Sequence, residues 1–419
     1  MIISFMDVPG LYLIYQSFSQ PVVKNIEEEV VQQLKKIEID QLIHKDQKVA
    51  ITAGSRGIKN IAKILKVVVK EFKDLGAKPF IVPAMGSHGG GTAEGQTEVL
   101  DSLGINEEAV GAPIISDTEV VELGRTEKGA AVYMDKNAFN ADAIFVINRV
   151  KPHTKFKARI ESGLMKMIAI GLGKQKGCTE LHSFGLYPEI VYAARIALEK
   201  APIKAGLGIV ENALKQTAKI AAVRKEKMEE VDAELLVLAK DLMPSLPAEH
   251  IDLLIVDEMG KNISGSGIDV NVIGRVTSPA SSEEKPRVEN IVALDLSDAS
   301  HGNALGMGLA DVITRRFADK INFQATYANV IAAGSLSRGK MPLVMENDLD
   351  AITVGLNAVQ GKNLRDIKIM FINNTMQLSK LMVSQALLNN LPKNKDFKIL
   401  DEVNLEFDNQ GNLIRKGWW

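Results

Sequence analysis

Apolar positions along this chain fall into short unbroken runs alternating with stretches of helical repeat, which predicts an α/β protein. Gln47–Thr52 reads as a short buried strand ending in Ala-Gly-Ser-Arg-Gly. Ile58, Ile61, Leu65, Val68, Phe72 and Leu75 then share roughly one face of a helix, with lysines between them. Gly76 closes that helix, Pro79–Pro83 supplies the next strand, and a Gly-Ser-His-Gly-Gly-Gly loop leads into a helix over Ala93–Leu103. Asp142–Ile147 is a further buried strand, delivering the chain to Arg149 and His153. Strand, glycine-rich turn and helix in succession make a sheet covered by helices, and sites in such sheets form at the carboxyl ends of the strands.

A charged helical segment over 223–243, followed by Pro-Ser-Leu-Pro, marks a boundary. Two α/β domains are expected, an N-terminal one over 1–248 and a C-terminal one over 249–399, with the active site in the cleft between them. The second begins with a strand at Ile251–Val256 and continues through Asn290–Leu296 and Tyr327–Gly334. Residues 402–415 read as a β-hairpin around Asn409–Gly411, and the tail 400–419 is expected to return to the first domain.

Composition narrows the function classes. The 419 residues carry a formal net charge of −2 and only 5% aromatics, which gives no support to nucleic-acid or membrane-surface binding. A single cysteine, Cys178, excludes disulfides within the chain and thiolate-rich metal sites. No apolar run approaches the ~20 residues that span a bilayer. The first residues lack the basic start of a signal peptide, so a cytoplasmic protein is expected.

Three of the six histidines stand in specific company: His88 in Gly-Ser-His-Gly-Gly-Gly, His153 in Lys-Pro-His-Thr-Lys, and His182 in Glu-Leu-His-Ser-Phe-Gly. Glycines such as Gly89 and Gly90 let a backbone turn its N–H groups toward an anion, although a plain turn with Thr92 as helix cap is the simpler reading. Arg149 to Lys176 carries eight basic residues and one acid, Glu161, which suits a phosphate or carboxylate ligand better than a solvated face. Lys166, flanked by Met165 and Met167, is expected to be partly desolvated and therefore nucleophilic, with a snorkelling lysine as the equal alternative on spacing.

Arg56 after a strand, Gly-Ser-His88, Pro152-His153, Ser162-Gly163 followed by Lys166, and His182 together resemble the nickel-dependent lactate racemase family, whose members racemise or epimerise 2-hydroxy acids. The resemblance implies a nickel-pincer nucleotide, derived from nicotinic acid mononucleotide and joined to Lys166 through a thioamide, with His182 as protein ligand to nickel. It implies His88 and His153 as acid/base pair, Arg56 as the carboxylate grip, hydride transfer at C2, and cofactor-making enzymes as partners for loading. Two departures stand out. The stretch from His153 to Lys166 is longer than in lactate racemases, which brings Lys155 and Lys157 into question as tether. After Gly267-Ile268-Asp269-Val270-Asn271, the family's Tyr, Gln and Lys are replaced by Ile273, Gly274 and Thr277. Their loss argues against lactate and toward a longer substrate such as a sugar acid, with Arg275 or Lys261 as replacement contacts.

Two other readings compete with this one. A zinc hydrolase would use the three histidines as metal ligands, and a non-catalytic protein would bind an anionic small molecule on the glycine loop and basic segment. Asp269 and Asn271 are as easily a helix cap as a binding surface. His301 with Asp295 and Asp298 reads better as loop capping than as a metal site, Ser337–Lys340 as a basic turn, and Cys178 as a bystander.

Overall fold

The computed structural model describes residues 9–275, 285–332, 334–393 and 397–419. The chain forms two compact units. The first described strand, β1 (Leu11–Gln16), belongs to the unit made mostly of the C-terminal half, while Ser19–Met243 forms the other.

Within Ser19–Met243 the strands are β2 (Lys48–Ala53), β3 (Lys78–Pro83), β4 (Val120–Arg125), β5 (Ala131–Asp135), β6 (Ala143–Arg149), β7 (Ile203–Glu211) and β8 (Thr217–Arg224). Five of them make a sheet in the order β3-β2-β6-β7-β8, parallel except for β8, and β4 and β5 form a separate hairpin. Successive side chains of a strand point to opposite faces, and both faces here are apolar. Val49, Ile51, Phe145 and Ile147 face the helices Ile26–Lys36 and Ile61–Asp74, where Phe72 meets Phe145 edge-on at 5.2 Å between ring centroids. Ala50, Val82, Ile144 and Val146 face a second core with Leu164, Ala193, Ala197 and Met228. The expected strands and helices of this half all form, within a residue or three of the expected ends.

The other unit holds β9 (His250–Met259), β10 (Arg287–Leu296), β11 (Val312–Thr314), β12 (Leu343–Met345), β13 (Ile369–Ile372), β14 (Lys380–Ser384) and β15 (Phe397–Val403) together with β1. The eight-stranded sheet runs β12-β11-β10-β9-β13-β14-β1-β15, parallel from β12 to β13 and antiparallel beyond. Two expectations change here. The α/β unit is expected to continue through Tyr327–Gly334; Tyr327–Ala332 belongs to the helix Phe323–Ala332, and Gly334 has a left-handed backbone. An apolar run of that length fits either element, and an Asn322 side chain that accepts from the Ala325 N–H at 2.9 Å tips it to helix. The tail, expected on the first domain, instead pairs through β15 with β1. Its turn forms as expected, with Phe407 bridged to Leu413 around Asp408–Asn412. Arg415 and Trp419 both bond the buried Asp257 carboxylate, which anchors the end of the chain.

Phe72→Ala removes the ring that joins helix to sheet in the Ser19–Met243 unit and is expected to cost about 3–5 kcal/mol in denaturant unfolding.

Candidate active site

The loops that follow β3, β2 and β6 carry His88, Arg56 and His153, and these three strands are parallel neighbours. Residues 53 to 153 are thus folded so that their three sequence-flagged side chains leave one edge of one sheet. Arg56 is exposed, beside Ser55, whose hydroxyl contacts Nδ1 of His88. Crowding by the surrounding protein, then the charge of Arg149, holds the Arg56 guanidinium below its usual range.

The His88 loop is held from below. Thr92 accepts from the Gly95 N–H at 3.1 Å and caps the helix Ala93–Ser102, so the simpler reading of that loop is also true. The buried Gln96 amide donates to the carbonyls of Gly86 at 3.0 Å and His88 at 3.3 Å. Lys174 donates to Gln96 Oε1 at 2.7 Å and to the Pro83 carbonyl at 3.0 Å. Gly89 is required by space and by conformation: its φ is +64°, and a Cβ would sit 2.5 Å from the Gly95 carbonyl oxygen. Gly90, at φ +65°, has nothing within 4 Å of such a Cβ.

His153 sits on an excursion closed where Lys151 N–H bonds the Ser162 carbonyl at 2.8 Å. Lys155 and Lys157 lie inside this excursion, and Lys166 lies beyond its closure. The His153 ring stacks on Phe156 with centroids 4.4 Å apart, and Phe156 stacks in turn on Tyr187. The Lys155 N–H donates to His153 Nδ1 at 3.1 Å, which places the proton of the neutral ring on Nε2. Burial, then the charges of Lys166, Lys155, Lys151 and His182, push the imidazole down to about 2.

Lys166 ends the first turn of a helix that opens at Leu164 and widens into a π-type turn over Met167–Gly171. Its amine is pushed down to about 8 by burial, with Lys151, Arg56 and Lys155 adding to the effect. His182 lies near the end of the helix Lys174–Ser183, and burial together with Lys155 and Lys166 lowers it to about 4. His153, Lys166, His182, Arg56, Lys151 and Lys155 therefore form one electrostatically connected group, with His88 joined to it through Ser55.

The basic segment does not act as one. Arg149 pairs with Glu211, Arg159 with Glu229 at 3.2 Å, and Lys176 lies over the Tyr133 ring at 4.4 Å. Lys174 is interior, 3.5 Å from Asp135, and serves as a strut rather than as a ligand for solvent anions. Lys151, Lys155 and Lys166 are the lysines whose charges act on His153. Sequence reasoning missed Gln96 and the two acids that hold the 151–166 stretch, Glu161 and Asp232. Nothing near Asp232 in sequence marks it, whereas Glu161, as the lone acid in a basic segment, was a usable signal.

In the other unit the expected replacement contacts are otherwise employed. Arg275 is buried, bonding the Leu309 carbonyl at 2.9 Å and Asp311 at 2.7 Å, and Lys261 bonds Asn329. Ile273 is core, and a Cβ on Gly274 would sit 2.1 Å from the Pro286 carbonyl oxygen, so neither opens space for a longer substrate. Thr277 lies outside the described residues. Asp269 caps the short helix Val270–Ile273 by accepting from the Asn271 N–H. Asp295 and Asp298 pair with Lys320, and His301 occupies a left-handed turn. Arg338 is buried, and Cys178 lies 3.7 Å from the Ser87 hydroxyl. Among the described residues no three His, Cys, Asp or Glu side chains converge as a metal-binding group, and no helix is long and apolar enough to cross a membrane.

The free amine of Lys166 should appear two units below that of a surface lysine. Acylation followed by peptide mass spectrometry is expected to give a rate midpoint near pH 8 at Lys166, against about 10.4 for exposed lysines.

Residues 13–190 match the family model described as the lactate racemase N-terminal domain. A comparison with curated protein sequences returns no match. The fold is similar to that of the lactate racemase apoprotein from Thermoanaerobacterium thermosaccharolyticum, with a TM-score of 0.56 at 14% identity over 88% of this chain and 99% of that one. So distant a likeness carries the fold alone. Residues 13–190, the stretch that holds Arg56, His88, His153, Lys166 and His182, are thus similar to a lactate racemase N-terminal domain, and the fold of the chain agrees with that likeness.

Proposed function

We propose that this protein is a racemase or epimerase that inverts C2 of a 2-hydroxy acid, using a nickel-pincer nucleotide tethered to Lys166. The observation that carries the reading is the lowered amine of Lys166 inside a group that also contains His153, His182 and Arg56.

The residues fit such a cofactor. Lys166 offers a free amine near neutral pH for the covalent link. His182 stays neutral at any physiological pH, which leaves an imidazole lone pair for the metal. Among the described residues no three His, Cys, Asp or Glu side chains converge, and a metal whose other donors arrive with the cofactor would need only one protein ligand. Lys151, Lys155 and the N–H groups of Gly89 and Gly90 would meet the phosphate. When bound, the pincer ring supplies the acceptor and donor of the C2 hydride.

The chain's own residues handle the carboxylate and the proton. Arg56 grips the substrate carboxylate, and a planar guanidinium does so through two parallel bonds while the middle of the molecule changes geometry. His88, whose Nδ1 contacts the Ser55 hydroxyl, would exchange the substrate hydroxyl proton. His153 presents an Nε2–H to the substrate oxygen in its neutral form. Burial first, and the nearby lysines second, keep it neutral, and an anion bound among those lysines offsets the second part and raises its proton affinity. Substrate charge thereby tunes the group that acts on the substrate. A three-histidine zinc centre is disfavoured by the side chains, which do not converge.

Protein loaded by co-expression with cofactor-making enzymes is expected to carry a mass adduct on the Lys166 peptide; no adduct on any lysine would end the covalent reading. A panel running from lactate to longer 2-hydroxy acids and sugar acids should show inversion or deuterium loss at C2 for at least one member. His88→Ala and His153→Ala are each expected to lower kcat by roughly 10²–10⁴, and Arg56→Lys to raise KM. Ligand binding that responds to these variants without any turnover would favour a non-catalytic binder.

A further inference from the structure

The helix Met228–Asp241 contributes nothing to the group around His153 and Lys166, yet it touches the backbone beneath both. We propose that this helix is the seat of the site: Asp232 fixes the turn that carries Lys166, and Lys240, acting through Glu161, fixes the loop that carries His153. The inference deepens the reading above, in which Lys166 bears the cofactor and His153 meets the substrate.

The first N–H groups of a helix have no partner within it, and a side chain just before them usually accepts their bonds. The helix that leads to Lys166 is preceded by Gly163, which has no such side chain. Asp232 takes that part from across the core. Its carboxylate oxygens accept from Leu164 N–H at 2.9 Å and Met165 N–H at 3.0 Å. The approach is close enough that a Cβ on Gly163 would lie 1.9 Å from Asp232 Oδ1, so the glycine exists to admit the acid. Asn148, at the end of β6, holds the Gly163 carbonyl at 2.7 Å from the other side.

Two turns further along the same helix, the Lys240 ammonium lies 2.6 Å from Glu161 Oε1. Glu161 is fully buried and gathers both arms of the excursion, accepting from His153 N–H at 2.7 Å and Ala158 N–H at 3.1 Å. Without Lys240 the buried carboxylate would keep these two amide partners but lose the ammonium that lies against it. One helix thus bears on the backbone at His153, through Glu161, and at Leu164 and Met165 directly. Burial raises Asp232 to about 6, so at neutral pH the protein maintains a desolvated charge there. A neutral side chain would fill the same volume without that cost, and the charge is explained by its two amide bonds. Neither Asp232 nor Lys240 touches reacting atoms on this account; both are positioning residues.

Hydrogen exchange read by mass spectrometry on the full-length protein without cofactor tests this directly. Asp232→Ala leaves two buried N–H groups without an acceptor and is expected to speed exchange over 162–170 by about tenfold, with β6 unchanged. The acylation midpoint of Lys166 should move up from about 8 toward 10.5 as its enclosure loosens. Lys240→Met is expected to speed exchange over 152–161 only, and Lys240→Arg to restore it. Lys240 is partly exposed, so its variants test the second contact even where an Asp232 variant fails to fold. Exchange and Lys166 midpoint unchanged in Asp232→Ala, or a Lys240→Met effect spread evenly over Ser19–Met243, would overturn the proposal. Because the readouts need no cofactor or turnover, an adduct forming on Lys166 in these variants bears on the racemase reading alone.

Discussion

Like charge held together in partial desolvation is the constraint on which this site depends. The charges of Lys151, Lys155, Lys166 and Arg56 bear on one another and on His153 and His182. Such an arrangement opposes its own formation, since each cation lowers the affinity of its neighbours for a proton. It persists because the backbone that bears it is fixed by bonds made elsewhere. The outcome is a lysine that can be an amine and histidines that can be neutral, in surroundings that favour an incoming anion.

The acids of this region lie one layer out. Glu211 takes Arg149, Glu229 takes Arg159, Asp135 lies beside Lys174, and Glu161 and Asp232 spend their oxygens on backbone N–H groups. A segment that looks uniformly basic in sequence is therefore sorted into neutralised cations and three that remain near the imidazoles. The sorting matters chemically. A ligand with a carboxylate or phosphate meets a few positive groups with defined positions, not a diffuse positive surface.

Much of this was legible in the chain. Short apolar runs ending in Ala-Gly-Ser-Arg and Ala-Met-Gly-Ser-His announced strands that deliver Arg56 and His88 to one edge, because a parallel sheet buried on both faces leaves an unbroken apolar signature. Lys166 between two methionines was read as desolvated, and it is. What the chain concealed was of three kinds. The helix Phe323–Ala332 was ambiguous because its residues suit either element. Gln96, Asp232 and Lys240 act across more than sixty residues or through backbone atoms, and no local pattern encodes such contacts. Arg275 was drawn toward a ligand by its charge, whereas its guanidinium satisfies interior carbonyls that the fold would otherwise leave unpaired.

The place of β1 has an effect on how the molecule comes into being. This strand lies inside its sheet, between β14 and β15, so Leu11–Gln16 is translated long before its neighbours at Lys380–Ser384 and Phe397–Val403. Those hydrogen bonds can close only once Phe397–Val403 has left the ribosome, and contacts so distant along a chain form slowly. Meanwhile Ser19–Met243 has every strand of its own sheet in hand. The unit that carries His88, His153 and His182 can therefore mature first, while Leu11–Gln16 waits for its partners.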